Sequence, residues 1–204
     1  MLRAATTADN GVEMTEDPDG FATQIADQVE GFLIALREVA RAARPEEAVS
    51  ILLVAVSQVL LAGGRLGAIS DVMLDERFEP DAGADQDLDE LRTALAKLLD
   101  PIDEYAEVFD PYEPKPELLI CRISDDLSGV ASALLHGLAH YKAGRQIEAL
   151  WWWQFSYLSH WGSQAATTLR ALQSVVAHDR LDAAGASTAS AAAAAKEATE
   201  AVAG

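Results

Sequence analysis

One cysteine, Cys121, in a chain of 204 residues leaves nothing to pair into an internal disulfide. Basic side chains are scarce too: 15 Lys and Arg stand against 33 Asp and Glu, a formal charge of -18 at pH 7. Such a surplus repels phosphate backbones and anionic lipid headgroups, so direct nucleic-acid binding and attachment to a charged membrane are not expected. The opening MLRAATTADNGVEM has no apolar segment of the kind that directs secretion. Together with the lone thiol, that argues for a reducing, cytoplasmic setting. GxSxG, P-loop, GxGxxG and CxxC patterns are all missing, and with them the usual marks of hydrolysis, nucleotide binding and thiol redox work. No catalytic residue and no cofactor is assigned, and a non-enzymatic protein is expected.

Half of the positions are hydrophobic, enough in a chain this long to build one substantial core. Residues 1–16 are small and polar without periodicity, and 182–204 is nearly pure Ala with Ser, Thr and Gly. Both read as tails around one folded domain at 17–181. Asp17 and Pro18 start a helix as N-cap and first-turn proline. Behind them Phe21, Ile25, Val29, Phe32, Leu36, Val39 and Ala43 recur at helical spacing. Pro45 opens a second helix that carries no charge from Ala48 to Gly64. A run of about 17 residues is short of the ~20 that span a bilayer, and it contains Ser50, Ser57 and Gln58. It is therefore expected at the buried centre of a bundle rather than in a membrane.

An acidic loop through Pro80 and Gly83 follows. Leu88, Leu91, Leu95, Leu98, Ile102, Tyr105 and Phe109 then continue a helical stripe through Pro101, with a kink there or a fresh start capped by Asp100. The proline-punctuated DPYEPKPELLICRI reads as extended. A short strand at 118–123 fits, but no convincing partner strand is visible. Ser124 is placed to cap the next helix, with Asp125 and Asp126 in its first turn. That helix is expected to stop at Gly144 in the left-handed conformation. From Arg145 an apolar pattern runs on to Val176, about 50 Å if unbroken, and Gly162 followed by Ser163 is the natural break. The expected fold is all-α, a single-domain bundle of five or six helices.

Trp151, Trp152 and Trp153 span roughly 200° of a helix circumference, so they cannot share one stripe. Packing on two sides would turn Trp151, Phe155 and Leu158 towards one neighbour and Trp153, Tyr157 and His160 towards another. Exposure would instead make the helix a docking surface, with Trp152, Trp153, Tyr157, His160 and Trp161 as its candidate residues. The stretch GRQIEALWWWQFSYLSHWGSQAATTLRAL, preceded by SDDLSGVASALLHGLAHYKAG, resembles the bacterial domain-of-unknown-function family DUF5063. Members of that family show an acidic helix start, a Gly turn, a Trp-rich run and a His-Trp-Gly tripeptide, supplied here by His160, Trp161 and Gly162. The actinobacterial branch looks nearest, through RFEPDAGADQDLDELR and ISDDLSG. The resemblance covers 17–181 and implies a helical protein with no activity, cofactor or catalytic residue to carry over. Tyr141-Lys142-Ala143-Gly144-Arg145, followed by Glu148 and Ala149, is similar to the turn inside a tetratricopeptide repeat. One copy supports a tetratricopeptide-like αα-hairpin and not a repeat array.

Three side-chain groups could carry chemistry. His136 and His140 lie four apart on one helix, the spacing at which two imidazoles can share a metal, and His160 could approach from the next helix. A satisfied structural pair filling a second packed interface is the plainer account, and the zinc-protease pattern wants Glu where Gly137 stands. Asp85, Asp87 and Asp89 have the alternate spacing of a calcium loop, but an EF-hand requires Gly where Glu90 stands, so a solvated loop with Asp87 capping a helix is the plainer account. Asp125 and Asp126 are explained by the helix start without catalysis, and Cys121, flanked by Leu119, Ile120 and Ile123, is expected to be buried and inert. The leading expectation is a helical adaptor that binds a protein partner, a basic one on charge grounds. A metal-binding protein or enzyme using His136, His140 and His160 is the alternative, and self-association is compatible with either.

Overall fold

The computed structural model describes residues 17–42, 44–74, 79–108, 112 and 114–203, without the side chains of 42, 46 and 183–203. The expectations for 1–16, for Ala43 and Phe109, and for the side chains of the Ala-rich segment lie outside the described residues. Helix α1 (Pro18–Ala42) begins at the proline the sequence marks, with Phe21 N–H bonded to Asp17 O at 3.0 Å. Its stripe of Phe21, Ile25, Val29, Phe32, Leu36 and Val39 is buried. Helix α2 (Pro45–Ala68) packs against α1 and sends Ala48, Leu52, Val56, Val59, Ala62 and Leu66 into the same core. Burial of each large apolar side chain is worth about 1.5–3 kcal/mol, so this interface contributes substantially to the fold's stability.

Helix α2 departs from the expectation of burial all round: Ile51, Val54 and Leu61 are exposed. Its 22 residues Glu47–Ala68 are long and apolar enough to cross a membrane by length and composition alone. Here one side of that helix is covered by α1 and, further along the chain, by α5 and α6.

Helix α3 (Asp89–Leu99) has Leu88, not Asp87, at its N-cap position, and Asp87 supports the start from one residue earlier, its Oδ1 accepting the Asp89 N–H at 2.9 Å. It stops before Pro101, which cannot donate to the helical ladder and crowds the preceding turn. The helical stripe expected to run through Tyr105 is instead strand β1 (Glu104–Val108), the partner that the sequence did not reveal for β2 (Leu118–Arg122). The two pair antiparallel, with Tyr105 opposite Cys121 and Val108 opposite Leu118. Leu118, Leu119 and Ile120 are exposed on this ribbon, contrary to the burial expected around Cys121.

Helix α4 (Ile123–Lys142) is not capped by Ser124. Asp103 does it from across the ribbon: its Oδ1 accepts the Ser124 N–H at 2.8 Å, its Oδ2 accepts the Ser124 hydroxyl at 2.9 Å, and its carbonyl accepts the Ile123 N–H at 2.9 Å. These bonds satisfy donors that the first turn of a helix otherwise leaves open. Gly144 ends α4 with φ +76, and helix α5 (Gln146–Ser156) turns back along α4 as an αα-hairpin. A π turn at Tyr157–Trp161 follows, and then α6 (Gly162–Ala203). The break falls one turn before Gly162 rather than at it. Gly162 donates its N–H to Tyr157 O, and a side chain there would run into that carbonyl. The backbone of 182–203 continues α6 as helix.

Candidate functional site

The uncharged middle of α4 is held against α5 by indoles that reach helical backbone. Trp153 Nε1–H donates to Leu134 O at 3.1 Å and Trp152 Nε1–H to Ala133 O at 2.8 Å. Gly137 makes room for the Trp153 ring. One turn further round, His136 and His140 stand on the same face, as their spacing predicts, with ring centroids 5.3 Å apart. Trp152 packs on His136 at 4.0 Å between centroids.

A residue the sequence reading did not single out completes the group. Glu79, from the connection between α2 and α3, places Oε1 2.8 Å from His136 Nε2 and 2.7 Å from His140 Nε2. One carboxylate oxygen thus lies within hydrogen-bond distance of both Nε2 atoms and accepts from each imidazole in the tautomer that carries its proton there. Asp85 Oδ1 lies 3.4 Å from the opposite nitrogen of His136, Nδ1. The connection therefore straddles that ring, Glu79 on one side and Asp85 on the other. Gly83 makes the reversal possible: its φ of +94 suits only glycine without strain, and its N–H bonds Asp81 Oδ1 at 2.8 Å. Arg145 adds a bond from Nη1 to Asp81 O at 3.2 Å.

His140 is wholly buried, and its Nδ1 has no hydrogen-bond partner among the described residues. A buried imidazole with an unsatisfied nitrogen costs on the order of 1–3 kcal/mol. Among the described residues the polar contact of its ring is Glu79, so its place in the interior depends on what sits at Nε2. His160 does not join the pair: it is exposed on the π turn, and the metal-ligating atoms that converge are those of Glu79, His136 and His140. The space beside His136, bounded by Asp85, Gln86, Ser132 and Leu135, holds about 40 Å³, too little for an organic substrate.

The remaining candidates take other roles. Trp153 and Trp161 are fully buried and cannot form a docking surface, and Tyr157 packs on Trp161 at 4.9 Å and over Gly63 and Gly67. Trp152 is half-buried against His136. The outward side of the helix carries Phe155 and Leu158, 52% and 63% exposed, with the Trp151 ring stacked on Phe155 at 5.4 Å. Asp125 faces Arg92 at 3.5 Å. Asp126 accepts the Tyr105 hydroxyl at 2.7 Å, and Thr167 Oγ1 lies 2.9 Å from the same oxygen. Burial pushes the Asp126 carboxyl above its usual range, and burial first, then Asp126, pushes the Tyr105 phenol up as well. The Cys121 thiol is also raised, chiefly by burial, which keeps it protonated and a poor nucleophile.

Among solved structures, protein BF1032 from Bacteroides fragilis matches with a TM-score of 0.63 and 19% identity, over 77% of this chain and 92% of that one. At that identity the likeness speaks for the shared fold. No curated protein matches the chain. The sequence profile described as "Domain of unknown function (DUF5063)" matches residues 16–178, the Trp-rich hairpin and the His136–His140 helix included, and the chain belongs to that family.

Proposed function

We propose that this protein binds a divalent transition-metal ion of the zinc class at Glu79, His136 and His140. The observation that carries the reading is the convergence of three ligand atoms within 4.8 Å of one another, one of them on a fully buried imidazole whose other nitrogen has no hydrogen-bond partner among the described residues. Two imidazoles and a carboxylate are a donor set that borderline ions favour. A tetrahedral ion at about 2.0–2.1 Å from each ligand needs those ligands about 3.3 Å apart. Glu79 would withdraw by about half an ångström from its present contacts, a small rotation for a side chain 21% exposed on a loop.

The surroundings favour a cation. His140 lies in the last turn of α4, where the helix dipole is negative. Asp85 can hold the proton at Nδ1 of His136 and leave the Nε2 lone pair free for the ion. The role is binding rather than turnover, because the adjoining space is small and no carboxylate follows His136 to serve as a base. Isothermal titration with zinc tests this directly. One ion per chain is expected, with affinity weakened by about tenfold or more in Glu79→Gln and His136→Ala while circular dichroism stays helical. Absence of binding to the unaltered chain would overturn it.

A second reading has its own observation. The Trp151–Phe155 stack and Leu158 form an exposed apolar ridge, which supports docking of a protein partner, a basic one given the net charge of -18. Phe155→Asp and Leu158→Asp should then abolish retention of a stoichiometric partner without altering zinc binding.

A further inference from the structure

The connection from the end of α2 at Ala68 to the start of α3 at Asp89 is long for a compact domain, and connections of such length tend to be functional. Its two ends are secured independently of the histidines. At the start, Gln154 Nε2 donates to Leu66 O at 2.9 Å and to Ser70 O at 3.2 Å, while its Oε1 accepts the Val72 N–H at 2.8 Å. At the end, Asp87 Oδ1 accepts the Asp89 N–H at the start of α3. Between them, among the described residues, the hydrogen bonds that tie 79–86 to other elements are those of Glu79 to both histidines, of Asp85 to His136, and of Asp81 O from Arg145. Three of these four bonds involve the two imidazoles.

We propose that the metal ion is the latch of this acidic connection: its binding at Glu79, His136 and His140 fastens residues 79–86 onto α4, and its loss releases them. The inference rests on the metal-binding reading above and adds what occupancy does. Hydrogen bonds from two imidazoles to a partly exposed carboxylate compete with water, whereas bonds to an ion hold the carboxylate and both rings at once. Because the loop straddles His136, fixing Glu79 also sets Asp85 against Nδ1. The next residue, Gln86, stands on the rim of a groove of about 470 Å³ between α1 and α4, beside Ile34, Arg37 and Leu138. Latching the loop therefore sets the rim of that groove.

Hydrogen–deuterium exchange of the full chain, with and without zinc, tests the latch. Amides of 79–86 should exchange about tenfold or more slowly when zinc is bound, with those of α1 and α2 unchanged. Asp85→Ala keeps all three ligands, so it should still bind zinc but show less protection at 83–86. If zinc binds and exchange of 79–86 does not change, the latch is wrong and the binding site stands. If Asp85→Ala is protected as fully as the unaltered chain, the straddling of His136 is not part of the latch and the proposal fails in that form. If zinc does not bind, both fail.

Discussion

Trp153 lies across the backbone of Gly137, so close that a methyl group at that position would overlap the indole Nε1, whose N–H instead donates to Leu134 O at 3.1 Å. The glycine that breaks the zinc-protease pattern is thus explained by packing between α4 and α5. Gly137→Ala should cost about 1–3 kcal/mol, the usual toll of overfilling a packed interface. Thermal unfolding should show a fall of several degrees, and an unchanged midpoint would contradict the packing described.

Asp103 is the cap of α4, supplied from the turn before β1. It is 3% exposed and also lies 3.7 Å from Arg122 Nε. Asp103→Ala removes both acceptors of the Ser124 donors and should destabilise by about 2–3 kcal/mol. Asp103→Asn keeps one acceptor and should cost less. Chemical denaturation of the two variants would measure the difference, and equal losses would count against capping as the cause.

The two ends of the ribbon show why parts of the fold were legible in the sequence and parts were not. Helices α1, α2 and α4 announced themselves through apolar spacing, and Gly144 through its place after the last turn, because those signals are local. Tyr105 satisfies both a helical stripe and a strand, and only its pairing with Cys121 decides. Ser124 looked like a cap because the rule reads the adjacent residue, while the acceptor stands 21 residues away in Asp103. Glu79 was hidden for the same reason. It is one acid among many in its loop, and what sets it apart is a contact with His136 across 57 residues of chain. The His136–His140 spacing was readable, but its third member was not.

The Asp126 carboxyl has a pH signature. Burial raises its folded pKa above the unfolded value, so the folded state binds the extra proton more tightly. Its contribution is fully present below the unfolded pKa and is lost as pH rises through the folded one. Asp126→Asn keeps an acceptor for the Tyr105 hydroxyl and should remove that decline. Melting temperatures recorded across the acid range should fall less steeply on the alkaline side for the variant than for the unaltered chain. Parallel profiles would refute the assignment.

Phe155 and Trp153 are two residues apart on one helix and should behave oppositely. Trp153→Ala empties a fully buried site and should cost about 3–5 kcal/mol. Phe155→Ala, at a side chain half in solvent, should cost well under half as much. Paired denaturation curves check this, and similar losses would mean that the ridge is part of the core.

The central claim is that Glu79, His136 and His140 share one ion. Crystals grown with zinc, measured on either side of the zinc absorption edge, test it most directly. The account predicts one anomalous peak about 2.0–2.1 Å from the Nε2 atoms of both histidines and about 2.0–2.2 Å from a Glu79 oxygen. A map with no peak there, and with Glu79 still hydrogen-bonded to both rings, would contradict it.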